Sequence, residues 1–224
     1  MNKQLKNKDL FSVYPFYLKN LFEAKIYPWE VLPHIKEYIL SLIDEGMREY
    51  TLLKKDVLIG PRVKIYPTAV IEGPTIIGGG TVIRPGAFIR GSVITGKNCV
   101  IGNSTELKNC ILMDGVQVPH YNYVGDSILG SYSHMGAGSI CSNLKSDGKN
   151  VVIHGDANYE TGLRKVGAIL GEKADIGCGC VLNPGTVIGK GTQVYPLTPL
   201  RGVYPHGCIV KANNNIVMKE NKKD

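Results

Sequence analysis

Four side chains near the middle of the chain have types suited to chemistry on a phosphorylated amine: His120 and the cations Arg84, Arg90 and Lys108. Arg84, Gly102 and His120 follow one another at intervals of eighteen residues, and Arg90 and Lys108 repeat that interval six places further on. The second column points toward Asp126, although Pro119 and the run to Leu129 shift the register there. A neutral imidazole accepts a proton near physiological pH. Guanidinium and ammonium groups hold a phosphate through charge-assisted hydrogen bonds. An amine in water is protonated and non-nucleophilic, so acylation by a thioester needs a base within reach to take a proton as the nitrogen attacks. The constellation fits such a transfer, with no covalent enzyme intermediate. Taken singly, a histidine more often has a structural job, and Arg and Lys columns are common solubilising edges; the combination is what singles these residues out.

An eighteen-residue interval has meaning only on a repeating scaffold. Every sixth residue from Ile59 reads Ile59, Ile65, Ile71, Ile77, Ile83, Ile89, Thr95, Ile101, Leu107 and Met113, almost all aliphatic. Four places on from the first eight of these stands a small or short residue: Val63, Ala69, Thr75, Thr81, Ala87, Val93, Cys99 and Thr105. The period returns at Leu129, Met135 and Cys141, and again from Leu170 through Ile176, Leu182 and Ile188 to Val194. Six-residue periodicity of this kind predicts a parallel β-helix in which three hexads make a coil of about eighteen residues. Coils stack about 4.8 Å apart, so Arg84 and His120 should lie on the order of 10 Å from each other on one corner. Periodicity leaves the hand of the helix open.

The narrow interior explains why 224 residues carry only 8% aromatic side chains beside 43% hydrophobic ones, and why 27 glycines and 12 prolines recur between short β-branched stretches. Before the repeat, Leu32, Ile35, Ile39, Leu42 and Ile43 fall at helical spacing between Pro33 and Gly46, predicting one amphipathic helix. Residues 10 to 22 are apolar but interrupted by Pro15, a second helical candidate. This segment, 1–55, is expected to cover an open end or flank of the β-helix. The β-helix runs over 56–210 with an excursion loop at about 143–165, and 211–224 form a basic tail.

A formal charge of +7 favours anionic partners, but no aromatic residues interleave with a basic run as a base-stacking surface requires, which argues against nucleic acid. The start lacks a secretory apolar core and no run of about 18 apolar residues occurs, so a soluble, cytoplasmic protein away from membranes is expected. The six cysteines are expected as reduced thiols in small core positions. Neither the Cys178, Cys180 pair nor the spacing of His34, His120, His134, His154 and His206 has the form of a metal site. A zinc hydratase built on this scaffold, and any metal, is therefore not predicted.

From about Ile83 to Lys149 the chain resembles the acetyltransferase domain of the bifunctional glucosamine-1-phosphate acetyltransferase and N-acetylglucosamine-1-phosphate uridyltransferase. The shared stretches are IRPGA at 83–87, TELK at 105–108, PHYNYVGD at 119–126, MGAGSI at 135–140 and the SN…DGK spacing from Ser142 to Lys149. The resemblance implies an all-β fold, a left-handed parallel β-helix of hexapeptide repeats behind a short N-terminal helical segment. It implies acetyl-coenzyme A as co-substrate, a phosphorylated amino sugar such as glucosamine 1-phosphate as acceptor, and a homotrimer with active sites between neighbouring β-helices. His120 matches the general base, and Glu106 is expected to orient its imidazole. Arg84, Lys108, Tyr123, His134 and Lys149 match substrate-binding positions, while Ala137, Asn143, Leu144, Cys178 and Pro196 match the coenzyme groove. His134 replaces a sugar-contacting asparagine of the family. No glycine-rich nucleotide loop precedes the repeat, so uridylyl transfer is not predicted. The competing reading is a non-catalytic β-helix, a partner or regulatory subunit of a sugar-phosphate nucleotidyltransferase, because similar β-helix tails occur there.

Overall fold

A computed structural model describes residues 5–219 of the chain. From Val57 onward the hexads form a three-sided prism, a left-handed parallel β-helix. In chain order its faces begin with Val57–Ile59, Lys64–Ile65 and Val70–Ile71, called here the first, second and third. Each strand pairs in parallel with the strand of the same face one coil away, as in Leu58 with Ile76 and Ile83 with Ile101. The interior is a file of fully buried side chains, among them Ile83, Ile89, Ile101, Leu107, Met135, Cys141, Leu170, Ile176 and Leu182. One aliphatic side chain per strand and one small residue at each corner are enough to fill it.

The repeat first departs from eighteen residues after Leu107. Ile89 pairs with Leu107, an interval of eighteen, whereas Thr95 pairs with Leu112, an interval of seventeen. The hexads after Leu107 and after Val124 are each one residue short at their corners, so every coil contact from there to Cys141 keeps the interval of seventeen, and near the far end Ile188 pairs with Tyr204 at an interval of sixteen. Met113, expected inside by its spacing, therefore turns outward; Leu112 takes the interior place.

Outward side chains of the first face would expose an apolar stripe made of Leu58, Ile76, Ile94, Ile111, Ile128, Ile169 and Val187, yet all are buried. The N-terminal segment covers them, a flank rather than an end. It is built from short helices at Asn7–Leu10 and Lys19–Glu23, 3-10 turns at Phe16–Leu18 and Pro28–His34, and a helix at Ile35–Glu45 closed by Gly46 at φ 75°. Leu10, Phe11, Phe22, Trp29, Ile35 and Ile39 pack against the stripe, each burial contributing about 1.5–3 kcal/mol. The excursion loop carries a hairpin, Val152–His154 with Asn158–Glu160, and Ile153 and Tyr159 join the same apolar layer. At the far end Ile216–Met218 folds back antiparallel on Cys208–Val210, and Lys219 Nζ donates to Gly191 O. Residues 220–224 of the basic tail lie outside the described residues. Among the described residues no helix is long and apolar enough to cross a membrane.

A polar clasp ties the covering segment to the prism. The Ser12 amide and hydroxyl both donate to the Glu172 carboxylate, and Lys190 Nζ lies 3.4 Å from that carboxylate. Burial acts to raise the Glu172 pKa, but the Ser12 hydrogen bonds and the Lys190 charge outweigh it and the group titrates below its ordinary value of 4.5. A depressed folded-state pKa contributes stability that is present above the unfolded value and is lost as pH falls through the folded one. Replacing Glu172 with Gln should therefore lower the unfolding temperature at neutral pH and flatten its decline in acid. Thermal unfolding followed by circular dichroism across that range checks this, and superimposable curves would contradict the clasp.

Candidate functional site

The edge between the second and third faces carries a column of outward residues: Pro85, Asn103, His120, Ala137, Cys178 and Pro196. A backbone ladder sets their order. Tyr121 N donates to Asn103 O (2.8 Å), Gly138 N to His120 O (3.1 Å), Gly179 N to Ala137 O (2.8 Å) and Leu197 N to Cys178 O (2.9 Å). The corner residues that turn the chain, Ser104, Tyr121, Gly138, Gly179 and Leu197, all have positive φ. For residues other than glycine this conformation costs about 1–2 kcal/mol. Tyr121 and Leu197 are nevertheless 64% and 80% exposed, so large side chains are held outward at strained positions beside His120, a pattern associated with binding edges.

His120 ends the strand Gln117–His120 and is exposed, outside the prism. It stacks on Asn103, not on Gly102. The expected column of Arg84, Gly102 and His120 is thus corrected by one place, because the short coil shifts all that follows: Arg84 lies under Gly102, and Gly102 under Pro119. A side chain at Gly102 would meet Pro119 O at 1.6 Å, so only glycine fits between them. Arg84 remains on the same edge as His120, two coils away, on the order of 10 Å.

Asn122, which the sequence did not single out, holds the His120 corner. It is 2% exposed. Its Oδ1 accepts from His120 N (3.1 Å), and its Nδ2 donates to Gly136 O (2.8 Å) and Ser139 O (3.2 Å). The available signal was an asparagine in the small-residue file where Ala87, Thr105 and Ser139 stand.

Glu106, expected to orient the imidazole, has an ion-pair partner of its own. It points from the third face, where Arg90 on the same face takes its carboxylate at 2.7 Å. His134 stacks between Gln117 and Asp175 at the opposite end of the second-face strands, and its Nδ1 lies 2.9 Å from Asp175 Oδ1.

A second group forms at the edge between the third and first faces. Asp126, 5% exposed, accepts from Asn109 Nδ2 at 2.8 Å and from Asn143 Nδ2 at 2.5 Å, and pairs with Lys108 Nζ at 3.4 Å. Asn143 Nδ2 also donates to Tyr123 Oη at 3.2 Å. Burial pushes the Tyr123 phenol above its ordinary pKa, against the pull of the Asn143 hydrogen bond, which keeps it a neutral donor. Lys108 stacks beneath Gly125, where a Cβ would come 2.4 Å from Tyr123 Oη and 2.7 Å from Asn143 Nδ2. Leu144 lines a cleft of about 630 Å³ with Lys145, His154 and Arg201. Lys149 is exposed in the excursion loop, its amide bonded to Asp147 Oδ1 at 3.0 Å. The residues expected in the coenzyme groove thus divide: Ala137, Cys178 and Pro196 continue the His120 edge, while Asn143 and Leu144 belong to the other. Among the described residues no three His, Cys, Asp or Glu side chains come together as a metal site.

The bifunctional protein GlmU of Methanococcus maripaludis is 34% identical over 197 residues, which cover 87% of this chain and 47% of that protein. An uncharacterized acetyltransferase of Escherichia coli, YaiX, is 32% identical over 175 residues, 78% of this chain and 75% of that one. The chain belongs to the GlmU-like hexapeptide-repeat acetyltransferases. It spans about half the length of the GlmU relatives it matches. The family model of the GMPPB C-terminal domain matches residues 71–161. Among solved structures, a hexapeptide transferase family protein from Anaplasma phagocytophilum aligns at a TM-score of 0.35 and 15% identity, over 76% of this chain and 88% of that one.

The edge also separates one thiol from five. Cys99, Cys110, Cys141, Cys180 and Cys208 are buried, as small core residues should be, but Cys178 is exposed. Burial pushes the Cys99 and Cys141 thiols up to about 12 and Cys110 higher still, and it is the thiolate that attacks a thiol reagent. One fast-reacting thiol is expected in the native protein and six in denaturant, read by a chromogenic disulfide reagent. A second fast thiol would contradict this description of the edge.

Proposed function

We propose that the chain is an acetyl-coenzyme-A-dependent N-acetyltransferase acting on a phosphorylated amino sugar such as glucosamine 1-phosphate, with His120 as general base. The observation that carries this reading is the single column His120, Ala137, Cys178 and Pro196: an exposed imidazole at one end of an open edge whose remaining members match coenzyme-binding positions. In this reading the pantetheine arm lies along that edge, its thioester beside His120. The imidazole takes a proton from the attacking amine, the C–N bond forms, the C–S bond breaks, and the imidazolium returns the proton to the departing thiolate. Arg84 and the Lys108 group receive the phosphate.

His120 and Asp126 stand on opposite edges of the third face, separated by roughly four strand residues, on the order of 13 Å. A trimer that brings one protomer's Asn143 and Leu144 edge against the next protomer's His120 edge closes the site and unites the divided coenzyme residues. The exposed Tyr121 and Leu197 give that contact its apolar surface. The match to the GMPPB C-terminal domain favours a second reading, a non-catalytic β-helix that serves a sugar-phosphate nucleotidyltransferase.

Replacing His120 with Ala should lower kcat for thiol release from acetyl-coenzyme A and glucosamine 1-phosphate by about 10²–10⁴-fold, with both Michaelis constants little changed. Wild-type protein that releases no thiol with any phosphorylated amino sugar would support the second reading. Acetyl-coenzyme A, whose sulfur is acylated and does not consume the reagent, should also slow modification of Cys178; undiminished modification at saturating acetyl-coenzyme A would contradict its path along the edge.

A further inference from the structure

We propose that Asp126 is a positioning residue that fixes Lys108 for the phosphate of the acceptor and holds Asn143 beside it. This rests on the acetyltransferase reading above and adds to it a residue and a role. The corner itself does not require a carboxylate. Ser92, Asn109 and Asp126 occupy the same corner on successive coils with φ of 51°, 47° and 47°, and the register joins them through Cys110 above Val93 and Asp126 N on Lys108 O. Serine and an amide therefore satisfy the turn. A buried anion is retained at Asp126 although an unpaired one would cost several kcal/mol.

Its partners account for that cost. Two amides and an ammonium drawn from the coils on either side converge on the one carboxylate. The Lys108 side chain keeps 28% exposure while that of Asp126 keeps 7%, so the cation stays within reach of solvent while the carboxylate that holds it does not. The excursion loop leaves at Asn143 and returns over the same group, with Val166 N on Asn143 O (3.1 Å) and Gly167 N on Asp126 O (2.7 Å). A cleft of about 300 Å³ beside it is bordered by Asn109, Asp126, Arg164 and Lys165. One cation pairs with the carboxylate and two more border the cleft beside it, an excess of positive charge that suits a phosphate rather than an uncharged sugar.

The test is steady-state acetyl transfer by the full chain with glucosamine 1-phosphate and, in parallel, with glucosamine. The Asp126→Asn variant should raise the Michaelis constant for the phosphorylated sugar at least tenfold, leave that for glucosamine within twofold, and change kcat little. Combined with Lys108→Met it should be no worse than Lys108→Met alone, because one residue acts through the other. Asp126→Ser serves if the asparagine variant does not fold, since Ser92 occupies this corner two coils away. An unchanged Michaelis constant for glucosamine 1-phosphate, equal losses with both sugars, or additive losses in the double variant would overturn the inference while leaving the acetyltransferase reading intact. Wild-type protein without activity on any phosphorylated amino sugar would remove both.

Discussion

The register of one coil on the next governs this molecule. Backbone hydrogen bonds between coils leave no freedom to slide by a residue, since a slip of one place would turn an interior side chain out and an outer one in. Side chains far apart in sequence become neighbours only through that register. The shortened hexad after Leu107 shows its force: one residue removed at a corner places Pro119 over Gly102 and His120 over Asn103. The imidazole thereby arrives at the edge itself, in line with Ala137, Cys178 and Pro196.

The three faces divide the work. The first is spent on stability, its outer apolar stripe closed by the N-terminal segment and the excursion hairpin. The second and third stay open, and the groups suited to chemistry gather at their edges: His120 and Arg84 where they meet, Lys108, Tyr123, Asn143 and Asp126 where the third meets the first. The corners that make these edges use positive φ at Tyr121, Asp126 and Leu197 as well as at glycines. The ladder bonds on either side of each corner offset that strain.

Much of the fold was legible in the sequence because its signal is redundant. The aliphatic file from Ile59 to Leu107 and the files at Leu129 and Leu170 stand inside the prism, and the helix ending at Gly46 ends there. Met113 hid the shortened coil, since an apolar residue at the sixth place preserved the pattern while Leu112 took the interior. The site was legible where it depended on residue type and blurred where it depended on register. His120, Lys108, Tyr123 and Asn143 are recognisable as motif residues. The Arg90 partner of Glu106 was not foreseen, because nothing in the order of residues shows that Arg90 shares its face. Asn122 and Asp126 bond to atoms on other coils, and those partners exist only once the coils are stacked.

The most direct test of the central claim, that one stacked edge brings base and coenzyme together, is a crystal structure of the protein with coenzyme A bound. The account predicts the pantetheine arm along Ala137, Cys178 and Pro196 with the sulfur next to the His120 imidazole. Coenzyme seated on another face, with its sulfur remote from His120, would contradict it.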